Sequence, residues 1–174
     1  MFKKEDIEKF HMPRWEELPE IDLYLDQVVT FIDKYLLYYL YDESKKEEKK
    51  EQNVLTKTMV NNYVKQKIIQ APIQKKYNRN NIAYLFVICI LKQCYSINDI
   101  DKLIKFTLKS TSLEIAYNKF CDVLENALKC TFLDKEFIYE KSATENGYVL
   151  LNVVQTIASK LYVEKMYLEN EKEL

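Results

Sequence analysis

With 174 residues, 48% of them hydrophobic and 30% charged, and a net charge of −1, the chain is globular, with one large or two small domains, rather than disordered or basic throughout. Its single glycine, Gly147, and its three prolines, Pro13, Pro19 and Pro72, cannot supply the turns of a β-sandwich or barrel, nor the closely spaced glycines of a P-loop or a dinucleotide-binding turn. The composition therefore predicts an all-α fold whose helices are joined by short polar links.

Residues 1–18 read as an N-terminal arm pinned to the body by Trp15 and Leu18. Pro19 suits the first turn of a helix, where its missing N–H costs nothing. From Glu20 to Tyr41, apolar residues recur at Ile21, Leu25, Val28, Val29, Ile32, Leu36, Tyr39 and Leu40, which is amphipathic helical spacing. A Lys- and Glu-dominated run follows and reads as a linker over 42–53. Thr56 is a predicted N-cap for a helix of about ten residues that must end before Pro72. The helix buries Met59, Val60, Tyr63 and Val64 and exposes Lys57, Thr58, Asn61, Asn62 and Lys65. Ile69 to Tyr77 is short, basic and β-permissive, as a tight hairpin or loop would be. Asn78 caps a helix over Arg79 to Cys94 that is apolar nearly all round, and so central to the core. Ser96 caps another, with Ile97, Ile100, Leu103, Ile104 and Leu108 inward, and Ser112 caps one running to about Cys130. Thr131 to Gly147 is irregular. A last helix, Tyr148 to Glu169, puts Leu150, Val154, Ile157, Leu161 and Leu168 at heptad positions, with Glu164 breaking the seam.

The charge is distributed unevenly. Gln52 to Asn98 contains no Asp or Glu but carries Lys57, Lys65, Lys67, Lys75, Lys76, Arg79 and Lys92, which leaves the rest of the chain strongly acidic. Such a basic island is an electrostatic footprint for a polyanion. A helix fits the major groove, where an asparagine pairs with adenine in bidentate fashion and a lysine donates to guanine, so Asn61, Asn62, Lys57 and Lys65 are candidate base readers. Thr56, Thr58, Lys75, Lys76, Tyr77 and Arg79 are candidate phosphate contacts, which position a protein without specifying sequence.

The order of elements from Thr56 to Ile104 resembles the winged helix-turn-helix of the MerR family. Val60-Asn61-Asn62-Tyr63-Val64-Lys65-Gln66-Lys67-Ile68-Ile69 stands in place of its recognition helix, Lys76-Tyr77-Asn78-Arg79 in place of its wing end, and Cys94-Tyr95-Ser96-Ile97-Asn98-Asp99-Ile100 in place of its later helix start. Asn61 stands where that family usually has arginine, and Lys67 where it has a helix-ending glycine. From Trp15-Glu16-Glu17-Leu18-Pro19 onward, the chain is similar to the bacterial family catalogued as domain of unknown function 1836. The resemblance implies a winged helix-turn-helix with a short wing over residues 19–109, followed by a C-terminal helical bundle over 110–174 for effector binding or dimerisation. It also implies a transcription regulator that binds double-stranded DNA at a two-fold operator, with a homodimer and a small-molecule effector left open.

Enzymatic chemistry finds little support in the residues. The only histidine, His11, lies in the arm, and general acid–base work needs such a group or paired carboxylates in a cleft. Cys89, Cys94, Cys121 and Cys130 lack zinc-knuckle spacing and read as reduced, packed hydrophobes. No catalytic residue, metal or cofactor is expected. The charged start, Met1 to Phe10, and a longest apolar run of ten residues, Ile82 to Leu91, predict neither a signal peptide nor a membrane span, hence a cytoplasmic protein. The alternative is a helical protein-interaction adaptor that binds no DNA.

Overall fold

A computed structural model of the chain describes residues 2–40, 53–137 and 144–169. The structure is mainly helical, as the glycine-poor composition predicts, with one two-stranded antiparallel sheet. The expected linker run Asp42 to Gln52 lies outside the described residues.

The first helix, α1, spans Leu25–Leu40 and begins five residues later than the periodicity predicts. The preceding pair Leu23–Tyr24 forms strand β1, which is paired with β2 at Lys76–Tyr77 in the register Leu23 to Tyr77 and Tyr24 to Lys76. Leu23 and Tyr77 are buried and Tyr24 is exposed, so tertiary pairing outweighs the local helical pattern at Pro19 to Tyr24. Asp33 on α1 accepts the Val54 N–H at 2.9 Å and fixes where the chain re-enters. Helix α2, Lys57–Lys65, follows.

Helix α3, Arg79–Leu91, buries nine of its thirteen residues and so forms the centre of the core. Its Phe86 ring meets Phe31 and Tyr35 of α1 edge to face, each at 5.9 Å between centroids. Helix α4, Ile97–Thr107, starts at Ser96, whose hydroxyl accepts the Asp99 N–H; α5, Leu113–Phe132, starts at Ser112, which caps Ile115 in the same way. The caps predicted at Thr56, Asn78, Ser96 and Ser112 are thus all formed, each satisfying an otherwise orphaned first-turn donor.

Helix α6, Glu145–Val163, continues into a π-helical turn at Glu164–Leu168, where the heptad seam was expected to break. Asn146 contacts Ser110 near the start of α5 and Tyr162 meets Phe132 edge to face at its end, so α6 runs in the same direction as α5. Its seam residues Val154, Ile157 and Leu161 are buried within the chain, whereas Leu168 is 55% exposed.

The first eighteen residues are drawn into the core more deeply than Trp15 and Leu18 alone require. Phe2, Ile7, Phe10 and Met12 are also buried. Residues 12–15 lie against α5: Glu125 accepts the Met12 N–H (2.8 Å) and the Arg14 guanidinium (2.6 Å), Asn118 accepts the Trp15 N–H, and Tyr117 donates to the Pro13 carbonyl. Burial raises the Glu125 pKa, but the Arg14 and Met12 donors outweigh it and hold the carboxyl below its usual value.

The four cysteines are free. Burial pushes the Cys89 and Cys121 thiols up to about 12, so both are protonated packing groups. Among the described residues, no helix is long and apolar enough to cross a membrane.

Candidate nucleic-acid interface

Helix α2 is short, and its two faces are sharply divided. Val60 and Tyr63 are buried, with Met59 and Val64 partly so, while Lys57, Thr58, Asn61, Asn62 and Lys65 are exposed. At about 100° per residue, those five exposed positions span roughly 140° of the helix circumference without interruption. Every charge on α2 is positive. Thr56 caps the helix by accepting the Met59 N–H at 3.2 Å, and this leaves its own exposed position at the N-terminal edge of the face. The Tyr63 ring packs inward beneath Lys92, whose Nζ lies 5.8 Å from the ring centroid; burial pushes the phenol up to about 12, and its hydroxyl finds no hydrogen-bond partner.

The end of α2 shows how a lysine can occupy a glycine position. Lys67 takes the left-handed conformation at φ 58°, its N–H bonds to the Val64 carbonyl at 3.0 Å, and the Ile68 N–H reaches back to the Tyr63 carbonyl at 2.9 Å. This is the Schellman arrangement, built without the residue that adopts it most easily. Its helix-ending geometry is the one a glycine would give, and the residue also leaves a cation exposed at the end of α2.

The segment between α2 and α3 forms a two-residue hairpin. Ile73 and Lys76 exchange backbone hydrogen bonds at 3.0 and 2.9 Å around Gln74 and Lys75, whose φ angles are 49° and 66°. Two successive positive φ values define the mirror-image turn that matches strand twist, and here two residues with ordinary side chains adopt it. Lys75 is therefore held at the exposed tip. Lys76 lies in the sheet row between Tyr24 and Ile73, with its Nζ 5.1 Å from the centroid of the Tyr24 ring. The root of the hairpin is tied to α3. Asn78 caps the Asn81 N–H at 3.0 Å, and the buried Asn81 amide donates to the Gln70 carbonyl at 2.8 Å.

Two of the ten candidate residues differ in environment from the expectation. Tyr77 is 3% exposed and faces the core opposite Leu23, so it is not a surface group available to a phosphate; strand alternation sends it inward while Lys76 points out. Arg79 is only partly open, placed 5.8 Å from the Trp15 ring and 3.8 Å from Glu20. The remaining candidates, Thr56, Lys57, Thr58, Asn61, Asn62, Lys65 and Lys75, are exposed, and Lys76 is half-exposed.

Sequence reasoning also missed an acidic shoulder. The acid-free stretch is continuous along the chain but not in space, because the pairing of β1 with β2 and the start of α1 bring Glu20 and Asp26 alongside. Asp26 forms an ion pair with Lys57, and Glu20 pairs with Arg79. Both pairs are solvent-exposed on at least one side, so salt screens them and they hold their lysine or arginine only weakly. Among the described residues, Lys65 and Lys75 form no ion pair. The sequence signal for this shoulder is the cluster of acids on either side of Pro19.

A family model described as Domain of unknown function (DUF1836) matches residues 13–120, a stretch that runs from the Pro13 contact through the sheet, α1 to α4 and into α5. No curated protein and no solved structure matches the chain.

Proposed function

The chain belongs to the DUF1836 family, and on that premise we propose that it is a transcription regulator that binds double-stranded DNA through a MerR-like winged helix-turn-helix. The observation that carries this reading is the uninterrupted exposed arc of α2, on which two lysines flank two asparagines and a threonine with no carboxylate on the helix. The element order supports it: strand, helix, helix, two-residue hairpin, Asn-capped helix, Ser-capped helix. In this reading Asn61 and Asn62 read base edges in the major groove, Lys57 and Lys65 contact guanine or phosphate, and Thr56, Thr58, Lys75 and Lys76 fix register on the backbone. Arg79 braces the wing from below, and Tyr77 supports it from the core. The protein acts in the cytoplasm without catalysis, and a two-fold operator would call for a homodimer.

Fluorescence anisotropy with labelled genomic fragments at low salt tests this. The wild type binds, and Lys65→Glu loses most of that binding while its melting temperature holds. Absence of binding at low salt overturns the proposal, because phosphate neutralisation is strongest there.

A second reading, a helical protein-interaction adaptor, draws on the acidic shoulder and on the exposed apolar side chains beside it, Ile21 at 74%, Ile73 at 70% and Tyr24 at 51%. A stoichiometric protein partner, captured without DNA and lost in Ile73→Ser, would favour it.

A further inference from the structure

The second large feature of the molecule lies away from α2. We propose that the space bounded by α3, α4, α5 and the first turns of α6 is a binding site for a neutral, mostly apolar small molecule carrying one hydrogen-bonding end. This site does not depend on the DNA-binding reading.

The argument begins with α4. Its Ile100 is fully buried, but Leu103, Ile104 and Leu108 along the same apolar face are only half-buried. Instead of closing on α5 and α6, they look onto a cavity of about 890 Å³. It falls within the range of roughly 300–1,000 Å³ that small-molecule sites occupy, and a gap between bundled helices is one of their usual places.

The lining sets the chemistry. The floor comes from Val87 and Leu91 of α3 and Phe120 of α5, with Leu150 of α6 opposite α4. The polar lining gathers where the end of α4 meets the starts of α5 and α6, at Ser110, Thr111, Thr144 and Asn146, and the Asn146 amide donates to the Ser110 hydroxyl. Among the described residues no Asp or Glu lines the cavity, and the one charged lining residue, Lys119, is exposed. An apolar body would lie against α3 and α4 and place a hydroxyl, ester or amide group among the uncharged hydroxyls. Among the described lining residues a strongly charged ligand would find no buried counter-ion. Helix α3 runs from the hairpin root at Asn78 to the cavity floor at Leu91, so one helix joins both regions.

The test uses N-phenyl-1-naphthylamine, a neutral apolar fluorophore with one N–H, titrated into the full chain. The expected result is saturable enhancement at one probe per chain, together with a melting temperature that rises with probe concentration. Ala116→Phe, which fills the cavity from α5, should weaken binding by about tenfold or more while leaving helicity unchanged. If that variant does not fold, Leu150→Phe fills the space from the more exposed α6. Ile73→Ser, on the distant sheet, should bind as the wild type does. The proposal is overturned by absence of saturable binding, by equal affinity in a folded cavity-filled variant, or by binding that disappears as the chain self-associates over the opening.

Discussion

Replacing Glu125 with alanine should destabilise the protein by about 3 kcal/mol. Glu125 leaves 11% of its side chain exposed and accepts the Met12 N–H at 2.8 Å and the Arg14 guanidinium at 2.6 Å; His11 Nδ1 lies 3.3 Å away, and Lys129 3.7 Å. Removing the carboxylate strands a buried backbone donor, at about 1–3 kcal/mol. It also leaves Arg14, 24% exposed, with the more exposed Asp122 as its remaining carboxylate at 2.9 Å. Breaking a well-buried pair costs about 3–5 kcal/mol, and the partial exposure of Arg14 puts this case at the lower end. For a chain of this size, that corresponds to a fall of roughly 6–12 °C in melting temperature. Glu125→Gln keeps an acceptor for Met12 and should lose about half as much. Because the folded-state pKa of Glu125 is depressed, the advantage of wild type over Glu125→Gln is complete above the unfolded-state value near 4.5 and disappears as pH falls through the lower folded-state value. Urea unfolding of the three proteins from pH 3 to pH 7 reads both effects. A loss below about 1 kcal/mol for Glu125→Ala, or a wild-type advantage over Gln that ignores pH, would refute the reasoning.

Lys67→Gly should stabilise the chain by about 1 kcal/mol, since φ 58° is strained for lysine and free for glycine; an unchanged urea midpoint would contradict this. The double change Gln74→Asn with Lys75→Gly should stabilise the hairpin through its two positive φ angles, yet weaken duplex binding and lower the salt slope by about one, because the tip loses its cation. Stability and DNA affinity moving in the same direction would count against the assigned role of Lys75. Tyr63→Phe should be neutral or stabilising by about 1 kcal/mol, as the hydroxyl it removes is buried without a partner; a loss above about 1 kcal/mol would mean that the hydroxyl is bonded.

Much of the helical framework was legible because short-range rules decide it. Thr56, Asn78, Ser96 and Ser112 each stand before an apolar-periodic run, and capping is a contact over three residues. The all-apolar pattern of Ile82 to Leu91 marked the central helix for the same reason. The strand β1 was not legible. A two-residue ladder is too short to leave a period, and its partner lies more than fifty residues away at Lys76 and Tyr77. Missing that pairing meant missing its consequences: Tyr77 turns inward, and Glu20 and Asp26 come to rest beside Arg79 and Lys57. The exposed stripe of α2 followed from helical spacing. The left-handed conformation at position 67 did not follow from the residue itself, because lysine disfavours it; only the resemblance marks the position as that of a helix-ending glycine. The cavity was invisible for a related reason: the sequence shows that Leu103 and Leu108 are apolar, not whether anything reaches them.

The central claim, that the exposed face of α2 is the duplex-contacting surface, is tested most directly by nuclear magnetic resonance titration of the labelled protein with a short random-sequence duplex at low salt. The side-chain amides of Asn61 and Asn62 and the backbone signals of Lys65 and Lys75 should shift together and saturate, while those of α6 stay in place. Shifts that avoid α2, or no shifts at all, would contradict the account.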